Sequence, residues 1–486
     1  MIVKNNHTEI LQADASLIAE KIKNKSISCE ECVTIFINKI REVNPTLNAV
    51  VETRFDVALQ EAKEKDKLIR GNKVIFQDQP LFGVPVSIKE SIDVESMKTT
   101  GGLHYRSDLM MTENASSVNK LQEAGAIILC KTNTPSLCFC HETDNKLYGR
   151  TNNAWNKKMT AGGSSGGEAA LISTGASPLG LASDIGGSIR LPSHFNGVIG
   201  FKPGKFQVDT SGHFPPDQIP LKNRMSSIGP IGKSVRDVQL AYHLIAQPAE
   251  RKALYEKMQI HMLPSDNGFP LSKETTTLLN ALKRKLEKTH QIRLTTPPYF
   301  NDSAQIWQEL MSIDGGKEIK QLTYNTDRPN VWRSYLREKL TNKTTIHQYL
   351  SWALIGAGIF KPSKKRQLEI KDFIKEGDYV LNNYLQNRLL IFPVYHTFAQ
   401  PHGQVYKEIF SVNKTYEKYM PYLAYANVWG LPSLTVPLSL GNEHLPIGIQ
   451  IIGKVGNEES IFNLGQQIEQ QFGGYIRSTH YDKTKA

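Results

Sequence analysis

Two glycine- and serine-rich segments concentrate the chemical potential of this sequence: Gly162-Gly163-Ser164-Ser165-Gly166-Gly167 and Asp184-Ile185-Gly186-Gly187-Ser188-Ile189-Arg190. A serine hydroxyl becomes a nucleophile when a positioned base removes its proton, and glycine lets backbone N–H groups approach a ligand closely. Other chemistries compete for such loops. Glycine-rich loops ahead of a helix can cradle phosphate. Neither segment, however, ends in the Lys and Ser/Thr of a P-loop or has the Gly-x-Gly-x-x-Gly spacing of a dinucleotide site. Residues 162–166 match Gly-x-Ser-x-Gly, a nucleophile elbow. That elbow follows a strand directly, whereas Asn156-Lys157-Lys158-Met159-Thr160 precedes this one. The plainest reading is a pair of flexible loops; their closeness in the chain, each opening toward a helix-like run, argues against it.

Cysteine and histidine offer less. The Cys29/Cys32 and Cys138/Cys140 pairs lie too far apart for a zinc site, so no metal or cofactor is expected. Five cysteines in 486 residues exclude a disulfide framework and suit reduced thiols in a cytoplasmic protein. None of the 13 histidines has metal or triad spacing; His104, His194 and His213, near the two segments, read as loop or core histidines. Net charge is +11, from 58 Lys+Arg against 47 Asp+Glu. No long basic block or aromatic-basic platform accompanies it, so no nucleic-acid partner is expected.

The elements that must position these residues are α/β in texture. Ser28 and Glu31 form a capping box ahead of Val33, Phe36, Ile37 and Ile40 at helical spacing, and a second helix runs from about Asp56 to Arg70. From Leu81 the texture changes. Val84, Val86 and Ile88 alternate as a strand that carries Lys89, Ala126 to Leu129 and Leu179 to Ala182 read as buried strands, and helical runs separate them. Residues 250–400 are longer-helical and more charged, and strand texture returns in Pro432 to Pro437 and Ile447 to Gly453. Length at about 150 residues per domain allows three domains. Strand material on both sides of a helical insert, with no repeat or linker, predicts instead one large domain over 1–486, a central mixed sheet covered by helices. In it, 80–235 is the core, 250–400 a variable region around the pocket, and 425–475 completes the sheet.

Taken together the segments resemble the amidase signature family. The resemblance rests on Lys89 in Gly-Val-Pro-Val-Ser-Ile-Lys-Glu, on Gly162 to Gly167, on Ser183 to Arg190, and on Asn196-Gly197-Val198-Ile199-Gly200-Phe201-Lys202-Pro203. Asn427, Gly430-Leu431-Pro432 and Leu445-Pro446-Ile447-Gly448-Ile449-Gln450 extend it more loosely toward the end. The 75 residues from Lys89 to Ser164 and the 24 from Ser164 to Ser188 fit as well.

The resemblance implies Ser188 as acylated nucleophile, Ser164 as bridging serine on a cis peptide, and Lys89 as base. The chemistry is coherent. Lysine is a base only when neutral, and burial disfavours its ammonium form. A hydroxyl that donates and accepts at once can relay the proton between Lys89 and Ser188. Backbone N–H groups of Ile185, Gly186, Gly187 and Ser188 are expected around the oxyanion of the tetrahedral intermediate. Asp184 and Arg190 are expected to pair with each other or with the loop backbone, the other reading being contact with a carboxylate substrate. Cys138 and Phe139 are placed on the wall of the acyl pocket, and Lys202 is read as structural.

Within the family, Ser188-Ile189-Arg190-Leu191-Pro192 and Phe195-Asn196-Gly197 look most like the fatty acid amide hydrolase and general amidase branch. The expected activity is hydrolysis of a small-molecule linear amide, acyl and fatty acid amides and esters included, by a monomer or homodimer. The alternative is the glutamine-hydrolysing subunit of a tRNA-dependent amidotransferase; Met225-Ser226-Ser227-Ile228-Gly229-Pro230 lacks the Ser-Leu-Asp-Gln stretch usual there. An idle, binding-only member is a third reading, against which all three catalytic positions are intact. The apolar run Leu350 to Phe360, 11 residues long, is too short to span a bilayer. With Lys361, Lys364, Lys365 and Arg366 after it, it could make weak peripheral contact with an anionic membrane, the plainer reading being a buried helix.

Overall fold

The computed structural model describes residues 2–216, 218–248, 255–326, 329–411, 415–441 and 444–483. Its described strands form one eleven-stranded mixed sheet in a single α/β domain. Three strands at the heart of the signature region run parallel: Pro85–Lys89 lies between Ile127–Thr132 and Leu179–Asp184. Val86 and Ile88 are wholly buried, and every other residue of the three strands is buried too. This explains runs that are apolar on both faces, since a parallel sheet is covered by helices on both sides. Each aliphatic side chain so buried contributes about 1.5–3 kcal/mol.

Beyond them the sheet turns antiparallel, through Ser227–Gly232 and Ile199–Lys202 to the hairpin Ser433–Leu440 and Pro446–Ile452. The expected C-terminal strands therefore pair with the signature core, Ser433 opposite Lys202. The region 250–400 departs from its helical expectation. It supplies Gln259–Met262, Ile292–Leu294 and Arg388–Pro393, the last strands of the same sheet, as well as helices. Arg388–Pro393 pairs with Pro446–Ile452, so the sequence excursion returns to the sheet instead of merely covering it.

At the N-terminus, Ser28 accepts a hydrogen bond from the Glu31 N–H at the head of helix Cys29–Leu47. Cys29, Cys32, Val33 and Phe36 of that helix are fully buried, so the Cys29/Cys32 pair is core.

Among the described residues no helix is long and apolar enough to cross a membrane. The apolar run predicted around Leu350 forms helix Gln348–Ile359, most of which is buried; only its end, with Ile359 66% and Phe360 43% exposed, reaches solvent. Within the expected cationic cluster, the Arg366 guanidinium pairs with Glu309 and Glu369, and the exposed Lys365 lies 4.0 Å from Glu369.

Candidate active site

Lys89 and Asp184 are the last residues of neighbouring parallel strands, the edge where open α/β sheets place their ligands. Lys89 is wholly buried, and its Nζ lies 2.6 Å from Ser164 Oγ and 2.9 Å from Ser183 Oγ. Burial pulls its ammonium below the ordinary lysine range, although Cys138, Asp184 and Glu168 act in the opposite direction.

Ser164 stands on the loop leading into helix Gly166–Ser173, and the Gly163–Ser164 peptide is cis. Glycine is required before it. A Cβ on Gly163 would stand 2.6 Å from the Cys140 carbonyl oxygen and 2.7 Å from the Glu142 nitrogen. The two serine-bearing loops are tied together by Ser165 N–H, which donates to the Ser188 carbonyl at 3.2 Å.

Ser188 precedes the short helix Arg190–Asn196 and is 4% exposed. Ser164 and Ser188 line the same cavity of about 310 Å³, and the Ser188 hydroxyl makes no hydrogen bond among the described residues. Cys138 and Phe139, Ile185 and Gly186 line it too. Much of the remaining wall is apolar and remote in sequence, including Trp307, Met311, Ile355, Phe360 and Phe410.

Gly187 departs from the expected donor set. Its N–H donates to Asp184 Oδ1 at 2.8 Å, and it does not line the cavity. Its φ of +112° and a Cβ position 2.7 Å from Leu423 Cδ1 explain the glycine instead: it lets the chain turn where a side chain would collide. The N–H groups of Ile185, Gly186 and Ser188 have no acceptor among the described residues, and they remain available to a ligand.

Asp184 and Arg190 pair with each other, both fully buried, and no part of Arg190 is left to meet a substrate carboxylate. Asp184 also accepts from the Ile189 N–H at 3.0 Å. Burial alone would raise its pKa, but the Arg190 charge and hydrogen bonds hold the carboxyl well below the usual range. Arg190 is fixed in turn by the Leu423 carbonyl, by Gln450 Oε1 at 3.0 Å and by Asn427 Oδ1. Lys202, as read, donates to the Pro203 and Leu431 carbonyls, both at 3.1 Å, beneath the site.

One neighbour escapes sequence reasoning. His213, read as a loop histidine, lines the cavity with Nε2 2.9 Å from Ser183 Oγ. Cys138, placed on the pocket wall by the resemblance, sits beside Lys89: burial pushes its thiol up, but the Lys89 charge and the nearness of His213 and Ser91 bring it down to about 6. Nothing in the spacing of His213 marks it. His104 bonds the exposed Lys146 carbonyl and His194 is core, between the Gly448 and Thr397 carbonyls, as expected.

A buried, depressed lysine beside two cavity-facing serines and free backbone donors is equipped for acyl transfer. The chain belongs to the amidase family, whose model matches residues 31–462. It is thus an amide-hydrolysing enzyme. It is 31% identical to fatty-acid amide hydrolase 2-B of Danio rerio, over 96% of this chain and 91% of that protein. It is 27% identical to a glutamyl-tRNA(Gln) amidotransferase subunit from Lachnoclostridium phytofermentans, over 95% of this chain and 98% of that protein. Among solved structures, fatty acid amide hydrolase matches with a TM-score of 0.81 at 20% identity, covering 97% of this chain and 86% of that one.

Proposed function

We propose that this amidase cleaves linear carboxylic amides with apolar acyl groups, fatty acid amides and the matching esters included, through an acyl-enzyme on Ser188. The observation that carries the reading is Lys89 Nζ at 2.6 Å from Ser164 Oγ, on the wall of a cavity that also holds Ser188. Ser188 Oγ attacks the carbonyl carbon as its proton passes to Ser164, whose own proton passes to neutral Lys89. The oxyanion of the tetrahedral intermediate meets the N–H groups of Ile185, Gly186 and Ser188. The relay then runs backward: Lys89 returns a proton through Ser164 to the leaving nitrogen, which departs as an amine as the C–N bond breaks. Water, activated by the same relay, cleaves the ester on Ser188 and releases the acid.

The apolar wall formed by Trp307, Met311, Ile355 and Phe410 supports an apolar acyl group, and so does the likeness to fatty-acid amide hydrolase 2-B. Glutamine hydrolysis for a tRNA-dependent partner is the weaker reading, since Trp307, Met311, Ile355 and Phe410 give a polar amino acid head no partner, and the cation Lys222 on the same lining is paired with Asp314. A fluorophosphonate probe tests the nucleophile: wild-type protein is labelled and Ser188→Ala is not, with turnover abolished. Labelling that persists in Ser188→Ala moves the nucleophile elsewhere. A panel of short, aryl and long-chain acyl amides, with glutamine beside them, tests the substrate class.

A lipid-derived substrate suits the surface next to the cavity. Helix Val331–Thr341 exposes Trp332, Leu336 and Leu340, the last 82% exposed, and Ile359 and Phe360, which line the cavity, are exposed at and just past the end of the next helix. Lys361, Lys364 and Lys365 adjoin it, exposed. We read this strip as a peripheral contact for anionic membrane.

A further inference from the structure

Lys89 has two hydroxyl neighbours, and the proposed relay uses only one of them. Ser183 Oγ, the second, lies 2.9 Å from Lys89 Nζ and 2.9 Å from His213 Nε2. On the other side of the ring, His213 Nδ1 lies 3.0 Å from the Pro215 carbonyl oxygen. A carbonyl can only accept, so Nδ1 carries the hydrogen of the neutral ring and Nε2 presents a lone pair. Ser183 has one hydrogen, and Nε2 takes it. Toward Lys89, Ser183 is therefore left with lone pairs alone. The Ser91 hydroxyl lies farther from the same Nε2, at 3.2 Å, and the single lone pair of that nitrogen goes to the nearer Ser183 hydroxyl. His213 is held in place by backbone contacts on both sides: its N–H donates to the Thr210 carbonyl at 3.1 Å, and the Phe214 N–H donates to the Ser91 carbonyl at 2.8 Å.

We propose that His213 is a positioning residue for the Lys89 base: by holding Ser183 as an acceptor, it directs one Lys89 N–H to Ser183 and turns the amine lone pair toward Ser164. Resting on the relay proposed above, this adds a residue that no substrate atom needs to touch. The atoms balance without a further reactant. Neutral Lys89 gives one N–H to Ser183 and receives the Ser164 proton on its lone pair. The ammonium so formed meets a Ser183 oxygen already aligned to accept from it. No proton enters or leaves His213. In a wholly buried place this matters, because an ammonium without acceptors there is strongly disfavoured. The other ionisable groups acting on Lys89 are Cys138, Asp184 and Glu168, and the Cys138 thiol also contacts His213.

Removing the ring frees the Ser183 hydrogen to turn, so the Lys89 ammonium loses an acceptor and the amine its direction. His213→Leu should lower kcat about tenfold to a hundredfold, part of what a general base supplies. The acid limb of its kcat–pH profile should move to lower pH, with KM changed far less. His213→Gln, whose amide can accept from Ser183 and donate to Pro215, should recover most of both. Ser183→Ala should show the same acid-limb shift, and His213→Leu combined with it should be no worse than either alone, since both remove one interaction. Loss confined to KM with an unmoved profile would make His213 cavity wall and overturn the proposal. An unmoved profile in Ser183→Ala would do so even if His213→Leu failed to fold. The relay is judged separately: if Ser188→Ala still takes the fluorophosphonate, the relay itself fails. If Ser188→Ala is unlabelled while His213→Leu is labelled at the wild-type rate across pH, only the role of His213 fails.

Discussion

Asp184 and Arg190 face each other at 3.1 Å, both fully buried, and together they hold the loop that carries Ser188. The carboxylate takes the N–H groups of Gly187 and Ile189, on either side of Ser188, while the guanidinium reaches Asn427 and Gln450. The pair thus joins the nucleophile loop to the C-terminal hairpin and to the helix before it. Removing one partner leaves the other charge buried and unpaired, at a cost of about 3–5 kcal/mol. Asp184→Asn should lower the thermal midpoint and cut turnover together, as read by calorimetry and steady-state rates. A variant with wild-type values in both would contradict this account.

The same pair sets an acid limit. Because the folded pKa of Asp184 is depressed below its ordinary 3.8, its stabilising contribution is whole above that pH and is lost as pH falls further. Wild-type stability should fall more steeply than that of Asp184→Asn below about pH 4. Parallel unfolding curves for the two proteins across that range would exclude this role.

Lys89 should govern the acid limb of activity. Its base form is the neutral amine, and burial lowers its pKa from 10.5, so kcat/KM should rise with pH through a kinetic pKa below that value. Lys89→Ala should cost about 10²–10⁴-fold near neutral pH and lose that limb. A retained limb would assign it to another group.

Gly187→Ala puts a side chain where φ is +112° and where Leu423 stands 2.7 Å away. The conformational cost is on the order of 1–3 kcal/mol. Turnover should fall at least several-fold while the protein remains folded by circular dichroism, because the strain is local to the loop bearing Ser188. Unchanged kcat would mean that the loop tolerates the shift.

The exposed strip of Trp332, Leu336 and Leu340 should sediment the protein with anionic vesicles at low salt and release it as salt screens the neighbouring lysines. Leu340→Glu should weaken that binding without altering hydrolysis of a short, soluble amide. No sedimentation of the wild type on such vesicles would remove the membrane reading.

Much of the core is readable in the sequence because its cues are local. Alternating Val84, Val86 and Ile88 mark a strand whatever it packs against, and the spacing of Lys89, Ser164 and Ser188 marks a family pattern without any coordinates. The glycines of the second loop are legible as backbone-shaping, but the exact set of free donors is not. Only the fold shows that Asp184 takes the N–H of Gly187, leaving those of Ile185, Gly186 and Ser188.

The rest depends on tertiary structure. Periodicity tells which face of an element is buried, but not which distant element covers it. So the strands at 259–262, 292–294 and 388–393 are hidden inside a region of helical texture, and they belong to the sheet only because their neighbours do. The cavity wall joins residues from 137 to 416, and His213 comes within reach of Lys89 only through Ser183, thirty residues before it in the chain. The sequence alone determined the family, the α/β class and the residues equipped for acyl transfer, since those rest on residue type and spacing. Tertiary structure decided which polar groups are paired and which are left free to act, because hydrogen bonds and burial depend on atoms that segments remote in the chain bring together.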